Sequence, residues 1–532
     1  MRFKRAAAGL VASVMALTVA VTPVADKLPV VSSGLSVKAA AETYGNFEYS
    51  VNDDGVTIES YTGSSSTVVI PEEIDGKKVT GIGDNAFNGN VIVTSVTIPD
   101  TVTSIDQSAF YGCTKLSQVN LPPNLQFIGW CAFSGCTSLT SVEIPKSLTE
   151  CDSDVFADSG LTTVTFEKGT TKIANSAFHS ADKLVSVTIP NTVTSIGNSA
   201  FYGCTSLEKI ELPDSVTSIE QDAFKECTKL SQIDLPKNLE YMGSCAFMNC
   251  TSLTSVEIPK SLTDCRWDVF TGSGLTTVTF EEGTTSVADR LFNNASNLTN
   301  ITIPDTVTSI GSDAFSSCSS LQKIDIPDSV ISIGESAFNL CDKLSEITLP
   351  KDLETLGSSA FSGCTSLTSI SVPENISKIQ DSMFDGCTSL VTVEMGDKVA
   401  SIGNNAFNDC TALKNITLSP VTEYIGSSAF SNCDSLESIV IPDKVTAIYS
   451  SAFSDCDKLS SVTLSKALER IGESAFNNCD MLTSIKIPDS VKTIGYMAFY
   501  DCEKLAVVDM GNGVSWLYSE ALPRAYKGSA VK

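Results

Sequence analysis

Nineteen phenylalanines recur along this chain at intervals of 23 residues, twice shortened to 22, from Phe87, Phe110, Phe133, Phe156 and Phe178 onward to Phe476 and Phe499. Only five of the 24 Phe in the sequence fall outside that series. A fixed period of this length marks a solenoid, in which one supersecondary unit stacks on the next because it cannot bury its apolar face alone. The 532 residues therefore do not divide into several globular domains. They form one long array, and such arrays mostly bind things.

One repeat, Ser195 to Val216, shows the physics. Leu207-x-x-Ile210-x-Leu212 ends in the period-2 alternation of a short strand with one buried side. Pro213 removes a backbone donor and stops the strand. Val216 and Ile219 begin the return, and Gly197, with its equivalents in ten other coils, is expected to permit a tight turn before the Ala200-Phe201 pair. Stacked at a strand spacing of about 4.8 Å, nineteen coils give a body on the order of 90 Å long.

The flanks speak to compartment. Arg2, Lys4 and Arg5 precede an uncharged, mostly apolar run from Ala6 to Val21, and Ala39-Ala40-Ala41 precedes Glu42. This is the pattern of a secretory leader cleaved after Ala41, with Ala25 the weaker alternative. The run is short and weakly apolar for a span of roughly 20 residues. Losing residues 1–41 removes five bases (Arg2, Lys4, Arg5, Lys27, Lys38) and one acid (Asp26), so the net charge moves from −27 to −31. So acidic a surface repels phosphate backbones and anionic membranes, which argues against nucleic acid and membrane partners.

The recurring Leu-x-x-Ile/Val-x-Ile/Leu-Pro followed by Ile-Gly-x-x-Ala-Phe-x-x-Cys-x-x-Leu resembles the BspA-like class of bacterial leucine-rich repeats. The leading segment, from Phe47-Glu48-Tyr49 to Ile82-Gly83, is similar to that family's usual opening. The resemblance implies a leucine-rich-repeat horseshoe or superhelix with one short parallel strand per coil of about 23 residues, mostly β and turns. It also implies a secreted or cell-surface bacterial protein that adheres to proteins of a host or of neighbouring bacteria. The expected organisation is a signal peptide at 1–41, a capping segment at 42–80, the solenoid at 81–522 (about nineteen full repeats and a degenerate last one), and a tail at 523–532.

A second periodicity overlies the first. Ser104–Phe201 recurs at Ser218–Phe315, an offset of 114 residues, and Ser138–Thr149 matches Ser252–Thr263 residue for residue. This reads as a tandem duplication of five coils. Both shortened repeats fall inside it, at Gly160-Leu161 and Gly274-Leu275.

Fourteen of the 18 cysteines follow a ladder Phe by three residues, and other coils place Ser159, Ala181, Ser273 or Ala295 there. That exchange marks a buried packing position occupied by a reduced thiol. The remaining four form two copies of one pair, Cys131 with Cys151 and Cys245 with Cys265, each 20 residues apart. Coil neighbours lie 23 apart, so each pair is misaligned by three positions, roughly 10 Å in extended backbone. A tight turn would bring them back into bridging range, and spacing leaves both outcomes open.

Catalysis has little to work with. The single histidine, His179, leaves Ser or Cys nucleophiles without their usual base, and Cys/His clusters for zinc are absent from the sequence. No phosphate loop or dinucleotide fingerprint occurs. We expect no enzyme and no cofactor. The residues flanking the inward side chain of each strand face outward on the sheet and are mostly Ser and Thr. Charge interrupts them at Glu208, Lys209 and Glu211, and again 114 residues on at Gln322, Lys323 and Asp325. These six are the candidate ligand contacts. Protein recognition is the first expectation; a structural surface-layer role and binding of a glycan or wall polymer are the alternatives. Trp130 and Trp267 lie on the opposite turn, as contact points or as rim packing.

Overall fold

A computed structural model describes residues 42–523. The expected leader and all but the first residue of the expected tail lie outside the described residues. The described chain is a β-solenoid of strands and turns with no helix.

At the N-terminal end, β1 (Glu42–Tyr44) pairs antiparallel with β2 (Phe47–Asn52), which pairs antiparallel with β3 (Gly55–Tyr61). After β4 (Thr67–Val69) and β5 (Glu73–Ile74), β6 (Lys77–Ile82) lies parallel to β3 and hands the chain to the first coil. Tyr49 is buried here, and its hydroxyl lies 2.8 Å from a Glu42 carboxylate oxygen and 2.5 Å from one of Asp75.

From there each coil has three sides. The first is the expected strand, such as Lys209–Glu211, whose Ile210 points in while both neighbours point out. Along the whole array the inward residue of this strand is Val or Ile, from Val68 to Val508, because a β-branched side chain fills a pleated, half-buried surface well. The second side adds to the expectation of one strand per coil. The return also pairs, as two-residue strands such as Ser195–Ile196 on Ser218–Ile219, with the second residue buried. The third side is the Phe turn, and it too is a hydrogen-bonded ladder. Ser199, Phe201 and Gly203 each donate a backbone N–H to the next coil, at 2.8 Å to the carbonyls of Gln221, Ala223 and Lys225.

That third ladder needs a special backbone. The residues two before and two after the ladder Phe adopt left-handed φ, as at Ser199 (53°) and Gly203 (69°), so alternate N–H groups point along the array. Most of these positions carry Gly, Asn, Asp or Ser, the types that tolerate or support that conformation. The glycine before the Ala-Phe pair therefore has a different task from the one expected. Gly197 and Gly243 have ordinary φ, but a Cβ on Gly243 would meet the backbone N of Gln221 at 2.3 Å. Close approach between coils requires glycine there; the turn does not.

The rings form the core's spine. From Phe87 to Phe499 consecutive rings stack with centroids 4.8–6.0 Å apart and planes within 2–19°. Tyr61 and Phe47 continue the stack into the cap. The two shortened coils stretch it to 6.0 Å (Phe156–Phe178) and 5.9 Å (Phe270–Phe292), and there Phe166-Glu167 and Phe280-Glu281 replace the usual Ile/Leu-Pro, with both Phe rings packing edge-on against the ladder. At both places the return ladder is also interrupted.

The ladder cysteines do more than fill space. All fourteen donate their S–H to the carbonyl of the ladder Phe one coil back, as from Cys204 to Phe178 at 3.3 Å and from Cys364 to Phe338 at 3.2 Å. Burial pushes Cys250, Cys341 and Cys387 up to about 12. Every one of the 18 cysteines is a free thiol. Cys131 and Cys245 occupy left-handed turn positions, whereas Cys151 and Cys265 sit in return strands beside Ile128 and Met242. The three-position misalignment is thus retained in the fold.

Candidate functional site

The first-side strands present two outward columns, one on each side of the inward Val or Ile. Four of the six candidate residues lie in these columns. Lys209 and Glu211 flank Ile210, Lys323 and Asp325 flank Ile324, and Glu208 and Gln322 are exposed just before them. Within each rung the lysine pairs along its own strand, Lys209 Nζ to Glu211 Oε1 at 3.1 Å and Lys323 Nζ to Asp325 Oδ1 at 3.2 Å. Both pairs are more than half exposed, so each contributes little to stability. The two rungs are five coils apart, about 24 Å at strand spacing, and do not meet.

The concave sites on this face are centred on the coils that follow. A groove of about 820 Å3 spans the coils of Gln232, Ser255 and Thr277, and another of about 550 Å3 spans those of Glu346, Ser369 and Thr392. Gln232 is the register partner of Lys209, and Glu346 that of Lys323. The candidate rungs are thus the N-terminal lips of two grooves rather than their floors.

Carboxylates dominate the lining. Asp214, Asp234, Glu257 and Glu281 line the first groove with Lys237 as its one cation. Glu281 is engaged by Lys260 at 2.9 Å, which holds its carboxyl below the usual range. Glu346, Glu374 and Glu394 line the second with Lys351. Among the described residues, Asp234, Glu257, Glu346, Glu374 and Glu394 have no ion-pair partner.

The pairing of grooves reflects a longer repeat than the duplication indicated. Lys115-Leu116-Ser117, Lys229-Leu230-Ser231, Lys343-Leu344-Ser345 and Lys458-Leu459-Ser460 lie 114, 114 and 115 residues apart. The five-coil unit therefore runs through the whole array, and the grooves occupy equivalent places in its second and third copies. The signal was present in the sequence, diluted by substitution outside the first two copies.

The chain matches the family model described as "BspA type Leucine rich repeat region (6 copies)" over residues 60–185, 171–299, 285–414 and 385–506. The chain belongs to the BspA-type leucine-rich repeat family. Among solved structures it is similar to a leucine-rich repeat protein from Bacteroides ovatus (24% identity, 84% of this chain and 95% of that one, TM-score 0.36). It is also similar to a leucine-rich cell surface protein from Faecalibacterium prausnitzii (30% identity, 67% and 95%, TM-score 0.34) and to a leucine-rich repeat protein from T. pallidum (31% identity, 40% and 91%, TM-score 0.31). No curated protein matches.

BspA-type arrays are in general non-catalytic scaffolds, and the one histidine here fits that pattern. His179 Nδ1 lies 2.7 Å from Asp154 Oδ1 and 3.1 Å from Ser180 Oγ, while its ring stacks on Tyr202 at 4.6 Å. Both oxygens address the same ring nitrogen, so the trio cannot relay a proton from serine through Nε2. Among the described residues no group of three His, Cys, Asp or Glu is placed to hold a metal ion, and no helix is long and apolar enough to cross a membrane. Trp130 and Trp267 are each about half exposed on the turns after the return strand, and the Arg290 guanidinium lies 4.2 Å from the centroid of the Trp267 ring.

Proposed function

We propose that this BspA-type chain is exported and acts as a non-catalytic recognition module, binding a protein of another cell through the outward columns of its first-side strands. The observation that carries this reading is the division of labour among columns. The inward column is held to Val and Ile along the array, while the two columns beside it carry mainly Ser, Thr, Asn, Gln, Lys, Glu and Asp, with exposed Val69, Val440 and Val507, and enclose two grooves. A rigid core that fixes many independently variable surface positions is what recognition of a folded or extended polypeptide requires. The basic N-terminal residues and apolar run before Ala41 support export.

The test is capture of surface-exposed bacterial and host proteins by purified residues 42–532, followed by saturation binding of any single captured protein. Blocking the face with Ser255→Trp and Ser369→Trp should abolish that binding. Self-assembly without a ligand would favour a structural layer, and retention on a polysaccharide with no protein captured would favour a wall-polymer role.

A further inference from the structure

The two grooves share a feature that the fold does not need. Glu211 and Asp234 are direct register partners on adjacent strands, and Glu257 continues the same outward column in the next coil. Like charges directly opposite on a sheet are destabilising, yet only Glu211 has a lysine at hand. The corresponding positions one five-coil unit earlier are Thr97, Asn120 and Glu143, so the fold accommodates neutral residues at two of the three. The second groove assembles its own carboxylates differently, from Glu346, Glu374 and Glu394, and its one lysine, Lys351, pairs with Asp352 instead. Two grooves in equivalent places thus reach the same chemistry by different residues.

We propose that the two grooves form one bipartite site for an extended cationic polypeptide segment, which lays one Lys/Arg cluster in each. This rests on the protein-recognition reading above and names the chemistry of its partner. Charge complementarity selects the occupant. A cationic cluster relieves the repulsion along Glu211, Asp234 and Glu257 and supplies the partner that the second groove's acids lack. Equivalent points in the two grooves lie five coils, about 24 Å, apart, which an extended segment spans with about seven residues. Occupying both at once makes the second contact intramolecular and raises the affinity well beyond that of either groove.

The probe is a synthetic peptide with two tri-lysine clusters joined by four neutral residues, which sets the cluster centres seven residues apart, compared with a peptide carrying one cluster, both titrated calorimetrically against residues 42–532. The two-cluster peptide should bind at least tenfold more tightly. Neutralising the first groove (Asp234→Asn with Glu257→Gln) or the second (Glu346→Gln with Glu394→Gln) should reduce the two-cluster affinity to the single-cluster level. Neutralising both should remove it. These side chains are exposed and the replacements isosteric, so folding is not at stake. The control removes four carboxylates from the Cys turn (Asp434→Asn, Asp457→Asn, Asp480→Asn, Glu503→Gln) and should change affinity less than threefold. An equal loss in that control, or unchanged binding when both grooves are neutralised, overturns the proposal. If a captured protein partner is lost with Ser255→Trp and Ser369→Trp but not with the groove neutralisations, the recognition face stands and the cationic partner does not.

Discussion

Replacing Phe315 by alanine tests whether the ring ladder is the spine of the fold. The side chain is fully buried and stacks on Phe292 at 5.6 Å and Phe338 at 5.5 Å. Losing its apolar surface costs about 2–3 kcal/mol, and each stacking contact adds about 1 kcal/mol. The sum, about 4–5 kcal/mol, lies in the upper part of the range for buried Phe→Ala changes. Because each coil touches only its neighbours, the loss should appear as local opening of the coils around position 315. Phe499 is equally buried but stacks on one ladder ring, Phe476 at 5.3 Å, so Phe499→Ala should cost about 1 kcal/mol less. Native-state hydrogen exchange read coil by coil measures both. Acceleration spread evenly from the Phe110 coil to the Phe476 coil in Phe315→Ala would refute the nearest-neighbour picture, and equal costs at 315 and 499 would refute the stacking contribution.

Four further outcomes follow from the same geometry. With burial holding Cys250, Cys341 and Cys387 at about 12, their thiolate fraction at pH 8 is about a thousandfold below that of a free thiol; maleimide labelling in the native state should therefore reach Cys245 long before the ladder, and seven or more disulfides found by non-reducing mass spectrometry would contradict the free-thiol core. Gly243→Ala places a Cβ against the Gln221 backbone N and should lower the melting temperature by an amount matching about 1–3 kcal/mol, whereas Gly197→Ala, which meets Ile173 O at 2.7 Å, should behave alike. Burial, reinforced by the nearby Asp84 and Glu59 carboxylates, raises Asp106 to about 6; the folded state then holds its proton more tightly than the unfolded chain at about 3.9, so stability falls as pH rises from about 4 to 6. Asp106→Asn should accordingly raise the melting temperature at pH 7.5 and make little difference below pH 4. Finally, Lys209→Glu and Lys323→Glu extend the acidic lips of the two grooves and should strengthen binding of the two-cluster cationic peptide; weaker binding would place the lysines, not the acids, in contact with ligand.

Much of this fold was legible because the core is written in single columns. The Phe series fixed the coil length, the Val/Ile positions fixed the inward face of the strand, and the Cys/Ser/Ala exchange fixed the buried thiol position. Other features depend on backbone direction, which side-chain periodicity does not encode. The return strand is two residues long, too short to show alternation. The left-handed residues on either side of Phe201 are Ser199 and Gly203, and serine gives no warning that its φ is positive. Gly197 looked like a turn residue because glycine serves turns and close contacts alike; the contact with the preceding coil became apparent only in three dimensions. The grooves were not legible for a similar reason. Lys209 and Lys323 stand out in sequence as charges in a Ser/Thr background, but a groove is defined by the strands on either side of it, and its acids, Asp234 and Glu257, lie in separate coils.

The separation of columns also explains how such an array can change partner without changing fold. Hydrogen bonds along all three sides are made by backbone groups, and the ladder thiols bond to backbone carbonyls. The outward columns contribute only weak, exposed pairs such as Lys209–Glu211. Substituting them therefore costs tenths of a kcal/mol, while the buried ring stack and inward Val/Ile column maintain the coil. A five-coil unit repeated along the chain multiplies this freedom, because copies start with the same groove geometry and diverge in charge. Asn120 in the first unit stands where Asp234 stands in the second and Thr348 in the third. Those three side chains share one backbone position and differ in what they can attract, so selectivity along this surface resides in which copy a ligand reaches.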